Sequence, residues 1–171
     1  MSALTAAQAL DLPDWCIGAG SVRNLVWDAL HGYAAPSRLS DLDLAWFDAS
    51  DVTRQRDAAL QARLQPQVIA PWEVTNQAGV HVWFESHFGH AVEPLQSLED
   101  AVASWPEYAT SVGVRLDARG ELRIIAPHGL DDLFDMVVRR NPARVDLATY
   151  RRRVETKRYL ERWPRVRVIP G

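Results

Sequence analysis

At 171 residues, 47% of them hydrophobic and 24% charged, the chain is long and apolar enough to bury a core without staples, and it reads as one domain over residues 1–171. A lone cysteine excludes an internal disulfide, no apolar run spans a bilayer, and the amino terminus lacks the basic start and apolar block of a signal peptide. The expectation is therefore a cytoplasmic protein with no membrane partner. The net charge of −3 hides an asymmetry: residues 1–138 hold 8 arginines against 19 carboxylates, whereas 139–171 hold 11 basic residues against 3 acidic ones.

Residues 3–10 have the composition of a short helix, with Pro13 close behind it. Trp15–Gly18 reads as a short buried strand that passes through Gly18-Ala19-Gly20-Ser21 into a second helix. Val22, Leu25, Val26, Ala29 and Leu30 recur there at helical spacing; Ser21 stands where an N-cap is expected and Gly32 where the helix ends. Residues 33–40 are a loop. Residues 41–47 alternate with period two and read as a strand, followed by a helix over 51–64 and, after the breaker Pro71, a strand over 72–77. Residues 76–85 fit no single period, and 86–94 read as a loop. A helix over 97–104 stops before Pro106. Residues 109–116 and 121–127 flank Asp-Ala-Arg-Gly as a strand pair, and helices are expected over 129–140 and 147–162. The fold class is α/β (α+β), with a basic helical C-terminal segment and neither repeat nor linker.

A glycine hinge between strand and helix either makes a tight turn or brings bare amides close to an anion. The amides and dipole of a first helical turn favour negative charge, to which Ser21 would add a hydroxyl and Arg23 a guanidinium. Asp41 and Asp43, two apart on the next strand, project from one face while Leu42 and Leu44 point into the core. Carboxylates held that close raise each other's pKa unless a cation sits between them, and hard oxygen ligands suit Mg²⁺. Glu73 is a third carboxylate on another strand; three acids from two adjacent strands could hold two metal ions around a phosphoryl centre. Taken singly, each feature also fits a solvated sheet end or a plain turn. Together they are more specific.

The order "GAGS", "DLDL", "WEV" resembles the signature of the polymerase-β-like nucleotidyltransferase superfamily. More closely, "IGAGSVRNLVWDALHG", "SDLDLAWFD", "WEVTNQA", "WPEYATSVGVRL" and "APHGLDDLF" are similar to a bacterial nucleotidyltransferase-like family, over nearly the whole chain. The resemblance implies a small mixed β-sheet flanked by helices, Mg²⁺ or Mn²⁺ as cofactor, and transfer of a nucleotidyl group, adenylyl from ATP foremost, to a hydroxyl. It implies that Gly20 and Ser21 meet the triphosphate and that Asp41 and Asp43 bind the metals. Glu73 then takes the third-acid position, ligating a metal and helping to deprotonate the nucleophile. Two departures stand out. The stretch from Ser21 to Asp41 is longer than in most of the superfamily, and Gly79-Val80-His81 stands where members of the closer family tend to carry Arg-Met-His, which removes an anion contact from position 79. The acceptor stays open: small molecule, protein or RNA.

The basic tail admits two readings, a surface for polyphosphate or nucleic acid, or a solvated helix balancing an acidic body. Lys157, the only lysine against eighteen arginines, lies four residues from Arg153, facing either bound phosphates or water. A second functional class is thus a non-catalytic nucleotide- or RNA-binding module on the same fold. His81, His87 and His90 lack regular ligand spacing and a cysteine partner and read as ordinary loop histidines. Cys16, between apolar neighbours, reads as a buried thiol. Asp131 and Asp132 suit the first turn of a helix, and Asp48 falls at a strand end, outside the site.

Overall fold

The computed structural model describes residues 1–171. Helix α1 (Ser2–Gln8) and strand β1 (Trp15–Gly18) lead into α2 (Gly20–His31), β2 (Leu42–Trp46), α3 (Arg54–Leu64) and β3 (Trp72–Asn76). Then come α4 (Val80–Phe88), α5 (Leu98–Ala103), the hairpin of β4 (Gly113–Leu116) and β5 (Leu122–Ile125), and α6 (Asp131–Phe134). The chain closes with β6 (Val137–Val138), α7 (Leu147–Lys157), α8 (Tyr159–Arg162) and β7 (Arg167–Val168). The main sheet runs β3-β2-β1-β4-β5, with β2 and β3 parallel across the α3 crossover and every other pair antiparallel. This is the small mixed sheet with flanking helices that the resemblance implied.

Period-two alternation decides which face of this sheet is core. Leu42, Leu44 and Trp46 of β2 join Trp15 and Ile17 of β1 and Trp72 and Val74 of β3 beneath α1 and α3, which contribute Leu4, Ala7, Leu60 and Leu64. Each such side chain, fully buried, contributes about 1.5–3 kcal/mol. Truncating the wholly buried Leu44 to alanine would cost about 2–5 kcal/mol. The intervening residues Cys16, Asp43, Ala45, Glu73 and Thr75 necessarily face the other way. Cys16 and Ala45 meet Leu98 and Val102 of α5 there, and burial pushes the Cys16 thiol up to about 12, as suits an inert core residue. A one-residue slip of β2 would drive Asp43 into the core, so burial fixes the register.

A second core binds the C-terminal elements to α2. Trp27 packs edge-on against Tyr159 and Trp163, with ring centroids 6.0 and 5.3 Å away, and its indole N–H donates to the Leu133 carbonyl at 2.7 Å. Trp163 in turn donates to the buried Asp28 carboxylate at 2.8 Å.

Four expectations need correction. The helix expected over 129–140 stops at Phe134; Met136 takes a positive φ of 55°, and the β-branched, buried Val137–Val138 pairs in parallel with β7. The helix expected over 147–162 breaks at Arg158 (φ 50°, ψ 49°), so the C-terminal segment is two helices and a strand rather than one basic helix. Ser21 is not the N-cap of α2; Ala19 is, one residue before Gly20. The stretch read as ambiguous and then as loop contains α4, preceded by a 3-10 turn over Gln77–Gly79 that the Asn76 side chain caps by accepting from Ala78 N–H at 3.2 Å, and ended by Gly89 at φ 81°. His81 and His87 therefore lie on a helix.

Candidate active site

The hinge between β1 and α2 is tightly made. A Cβ on Gly18 would fall 2.5 Å from the Trp105 ring, so only glycine lets that indole cross the strand end. Ala19 holds φ 53° and ψ −122°, a conformation costing about 1–3 kcal/mol in a residue with a Cβ. The first-turn amides of Gly20, Ser21 and Val22 have no intrahelical acceptor and open the helix with its positive end. A Cβ on Gly20 would stand 3.6 Å from Arg23 Nη2 and 3.7 Å from Asp41 Oδ1. Glycine thus keeps clear the space between a guanidinium and a carboxylate. The Ser21 hydroxyl donates to the Gly18 carbonyl at 2.8 Å, bracing the hinge.

Across from the hinge, β2 and β3 align Asp43 directly with Glu73, and Asp41 lies two residues before Asp43 on the same face. These acids, Gly20, Arg23, Arg153 and Lys157 line one cleft of about 300 Å³. Burial pushes the Asp43 carboxyl up to about 7, with the charges of Asp41 and Glu73 adding to it and Lys157 and Arg153 only partly opposing. Ser40 donates to Asp41 at 3.1 Å, and Lys157 Nζ stands 4.0 Å from the same carboxylate oxygen. The three acids share a face without closing on one point: nowhere in the chain do three acidic, imidazole or thiolate side chains form a ready cage. As a donor set they nonetheless fit a hard divalent cation. They are all oxygen, come from two rigid strands, and leave an unbalanced negative field that keeps Asp43 from ionising readily.

The basic wall has a partner the sequence reading missed. Glu107 is 1% exposed and accepts two hydrogen bonds from Arg153, Nε–Oε1 at 2.8 Å and Nη2–Oε2 at 3.1 Å, with Thr110 donating at 3.0 Å. Burial pushes its carboxyl up, but Arg153, then Arg23 and Thr110, outweigh that and hold it below the ordinary range. Arg23, 3% exposed, sits 5.4, 5.1 and 5.5 Å from the ring centroids of Trp27, Tyr159 and Trp163 and donates to Asn24 at 2.7 Å. The only hint of Glu107 in the sequence is a carboxylate in "WPEYAT", among residues with no polar periodicity.

The remaining candidates separate. Lys157 and Arg153 reach the cleft from one face of α7, as their spacing of four implied, while Arg158 turns away to pair with Glu161. With Arg139 on Asp132 and Arg153 on Glu107 as well, internal ion pairs take part of the tail's charge. Gly79 has a steric cause: a Cβ would lie 3.1 Å from the Val52 carbonyl. Asp48 pairs with Arg56 at 2.7 Å, outside the cleft, and Asp131 and Asp132 begin α6.

A strand–glycine hinge–helix facing paired strand carboxylates defines a nucleotidyl-transfer fold. The nucleotidyltransferase family matches residues 5–168, and the chain belongs to it: an enzyme family that moves a nucleotidyl group from a nucleoside triphosphate. Among solved structures, the whole chain is similar to 89% of an NMR structure described as revealing a CCA-adding enzyme head domain, at 29% identity and TM-score 0.82. It also shares its fold with a tRNA-processing enzyme solved with CTP (14% identity, TM-score 0.56). A tRNA nucleotidyltransferase complexed with a primer tRNA and an incoming ATP analogue has the same fold (17% identity, TM-score 0.53). The chain spans only 43% and 46% of those last two. No match is found among curated proteins.

Proposed function

We propose that the protein is a Mg²⁺-dependent nucleotidyltransferase that moves an adenylyl group from ATP to a hydroxyl acceptor. The observation that carries this is the cleft itself, with three strand carboxylates on one side and open first-turn amides, Lys157 and Arg153 on the other. The amides of Gly20 and Ser21 receive the terminal phosphates, and the space at Gly20 lets them come close to the backbone. Lys157, a compact ammonium, and the half-exposed guanidinium of Arg153 oppose phosphate charge. Arg23, held among three rings, keeps a fixed positive charge under the hinge. Asp41, Asp43 and Glu73 would hold Mg²⁺, which when bound supplies Lewis-acid stabilisation of the charge that builds on the phosphoryl oxygens. Glu73, exposed at the mouth of the cleft, accepts the acceptor's proton as its oxygen attacks.

Enzymes of similar fold, one solved with CTP and another with an incoming ATP analogue, support a nucleoside triphosphate as donor. The test is pyrophosphate release with Mg²⁺ and each of the four nucleoside triphosphates against a panel of hydroxyl acceptors. Release greatest with ATP and lost in Asp43→Asn is the expected result. Salt-sensitive RNA binding with no pyrophosphate release under any pairing would instead favour a binding module.

A further inference from the structure

A second cavity, of about 620 Å³, opens beside the carboxylate cleft. The two are not separate. Thr75, Gln77, Trp105, Pro106 and Arg153 line both, so the two adjoin along these side chains. Thr75 lies two residues beyond Glu73 on the same face of β3, about 7 Å along the strand. That distance is within reach of a hydroxyl on a small molecule seated in the larger cavity.

Its chemistry is unlike that of the cleft. Trp83, Phe84 and Phe88 of α4, with Trp105, give it flat aromatic walls, and Leu95 and Val145 extend the apolar surface. Arg144 and Arg152 add two guanidiniums, neither in an ion pair. Arg144 stands 5.6 Å from the Phe84 ring centroid and donates one N–H to the Glu93 carbonyl, while its Nη1 is buried with no partner. The one carboxylate in the cavity wall, Asp146, accepts the Thr149 amide at 2.7 Å as the N-cap of α7. Asp100 and Asp146 lie near enough to act on Arg144 and Arg152 without pairing with them, and aromatic walls with two guanidiniums outside any ion pair match a flat ring that carries an anionic group.

Position assigns the role. An in-line displacement at phosphorus requires the nucleophile to enter opposite the leaving group. With the pyrophosphate at the hinge and α2, the open side is that of β3, where this cavity lies. We propose that the cavity is the acceptor subsite and takes a small aromatic molecule bearing an anionic group, with its hydroxyl directed past Thr75 towards Glu73. This rests on the nucleotidyl-transfer reading above. The acceptor oxygen forms the new bond to the α-phosphorus and its proton passes to Glu73. The bond from the α-phosphorus to the bridging oxygen breaks, and pyrophosphate leaves with that electron pair.

The test is calorimetric, with phenyl phosphate, inorganic phosphate, a hexameric oligoadenylate RNA and Mg·ATP titrated separately into the full chain and into Arg144→Met, Arg152→Met and Phe88→Ala. Phe88 and Arg152 are exposed, so their variants retain the core. Phenyl phosphate should bind at least about tenfold more tightly than inorganic phosphate and lose about tenfold in either arginine variant and several-fold in Phe88→Ala. Mg·ATP affinity should change less than about twofold. Equal binding of the two phosphates would reduce the cavity to an anion patch and overturn the proposal. So would RNA binding without phenyl phosphate binding, or loss of Mg·ATP affinity in the same variants, which would give the cavity to the nucleotide base. Wild type that binds phenyl phosphate but not Mg·ATP would sink the nucleotidyl-transfer reading and the acceptor role with it. The reverse pattern would sink the subsite alone.

Discussion

The acids on the two sides of the cleft sit under opposite electrostatic conditions: Glu107, buried behind the cleft-lining Arg153 and Thr110, and the strand acids Asp41, Asp43 and Glu73. On the Glu107 wall the carboxylate is almost wholly buried, yet two guanidinium bonds and a hydroxyl hold its pKa down. On the strand wall, Asp43 is less deeply placed but is pushed up to about 7 by burial and by Asp41 and Glu73, with Lys157 no nearer than 4.0 Å to Asp41. The satisfied set orients Arg153 and anchors α7. The unsatisfied set carries a charge deficit that an incoming cation would relieve. Groups whose environments conflict with their ionisation mark where a ligand belongs.

Removing one partner from the satisfied wall should cost most. Glu107→Gln leaves Arg153 and Arg23 without their buried counter-charge, and urea denaturation should show a loss of about 3–5 kcal/mol. A loss under about 1 kcal/mol would mean that Arg153 finds another partner and that the two walls differ little.

The strand wall should behave oppositely. Asp43 has a folded pKa above its unfolded value, so the native state binds the extra proton. That contribution is complete below about pH 4 and is lost as pH rises through about 7, amounting to at most about 4 kcal/mol. In metal-free buffer, stability should fall from pH 5 to 8, and Asp43→Asn should flatten the slope and melt higher at pH 8. A profile identical in wild type and variant would remove the contrast.

Smaller effects sharpen it. Lys157→Ala should weaken Mg·ATP binding about tenfold and Arg151→Ala hardly at all, because Lys157 lines the cleft and Arg151 does not. Equal affinities in both would return Lys157 to the solvent. Ser21→Ala should cost about 1 kcal/mol of stability through the lost bond to the Gly18 carbonyl, with little change in the ligand-induced rise in melting temperature. A large drop in that rise would put the hydroxyl on the phosphate after all.

The strand wall was legible in the sequence because its information is local. Alternation along "DLDLAW" and "WEVTN" assigns each side chain to a face, and the parallel register then sets Asp43 against Glu73. The opposite wall was not, since Glu107 and Arg153 are 46 residues apart and Glu107 belongs to no pattern. The same is true of β6 and β7, two residues each, too short for any period and recognisable only once Val137 and Arg167 meet. The break at Arg158 defeats a periodicity argument because its cause is a backbone conformation rather than composition. The larger cavity draws its walls from β3, α4, the segment before β4 and α7, and appears only when all four are assembled.

The most direct measurement of the central claim is calorimetric titration of Mg·ATP into wild type, Asp41→Asn and Asp43→Asn at neutral pH. If the unsatisfied carboxylates form the metal–nucleotide site, both variants should lose affinity by about 100-fold or more while keeping their fold. Unchanged affinity in correctly folded variants would contradict the account and leave the strand carboxylates as a solvated sheet edge.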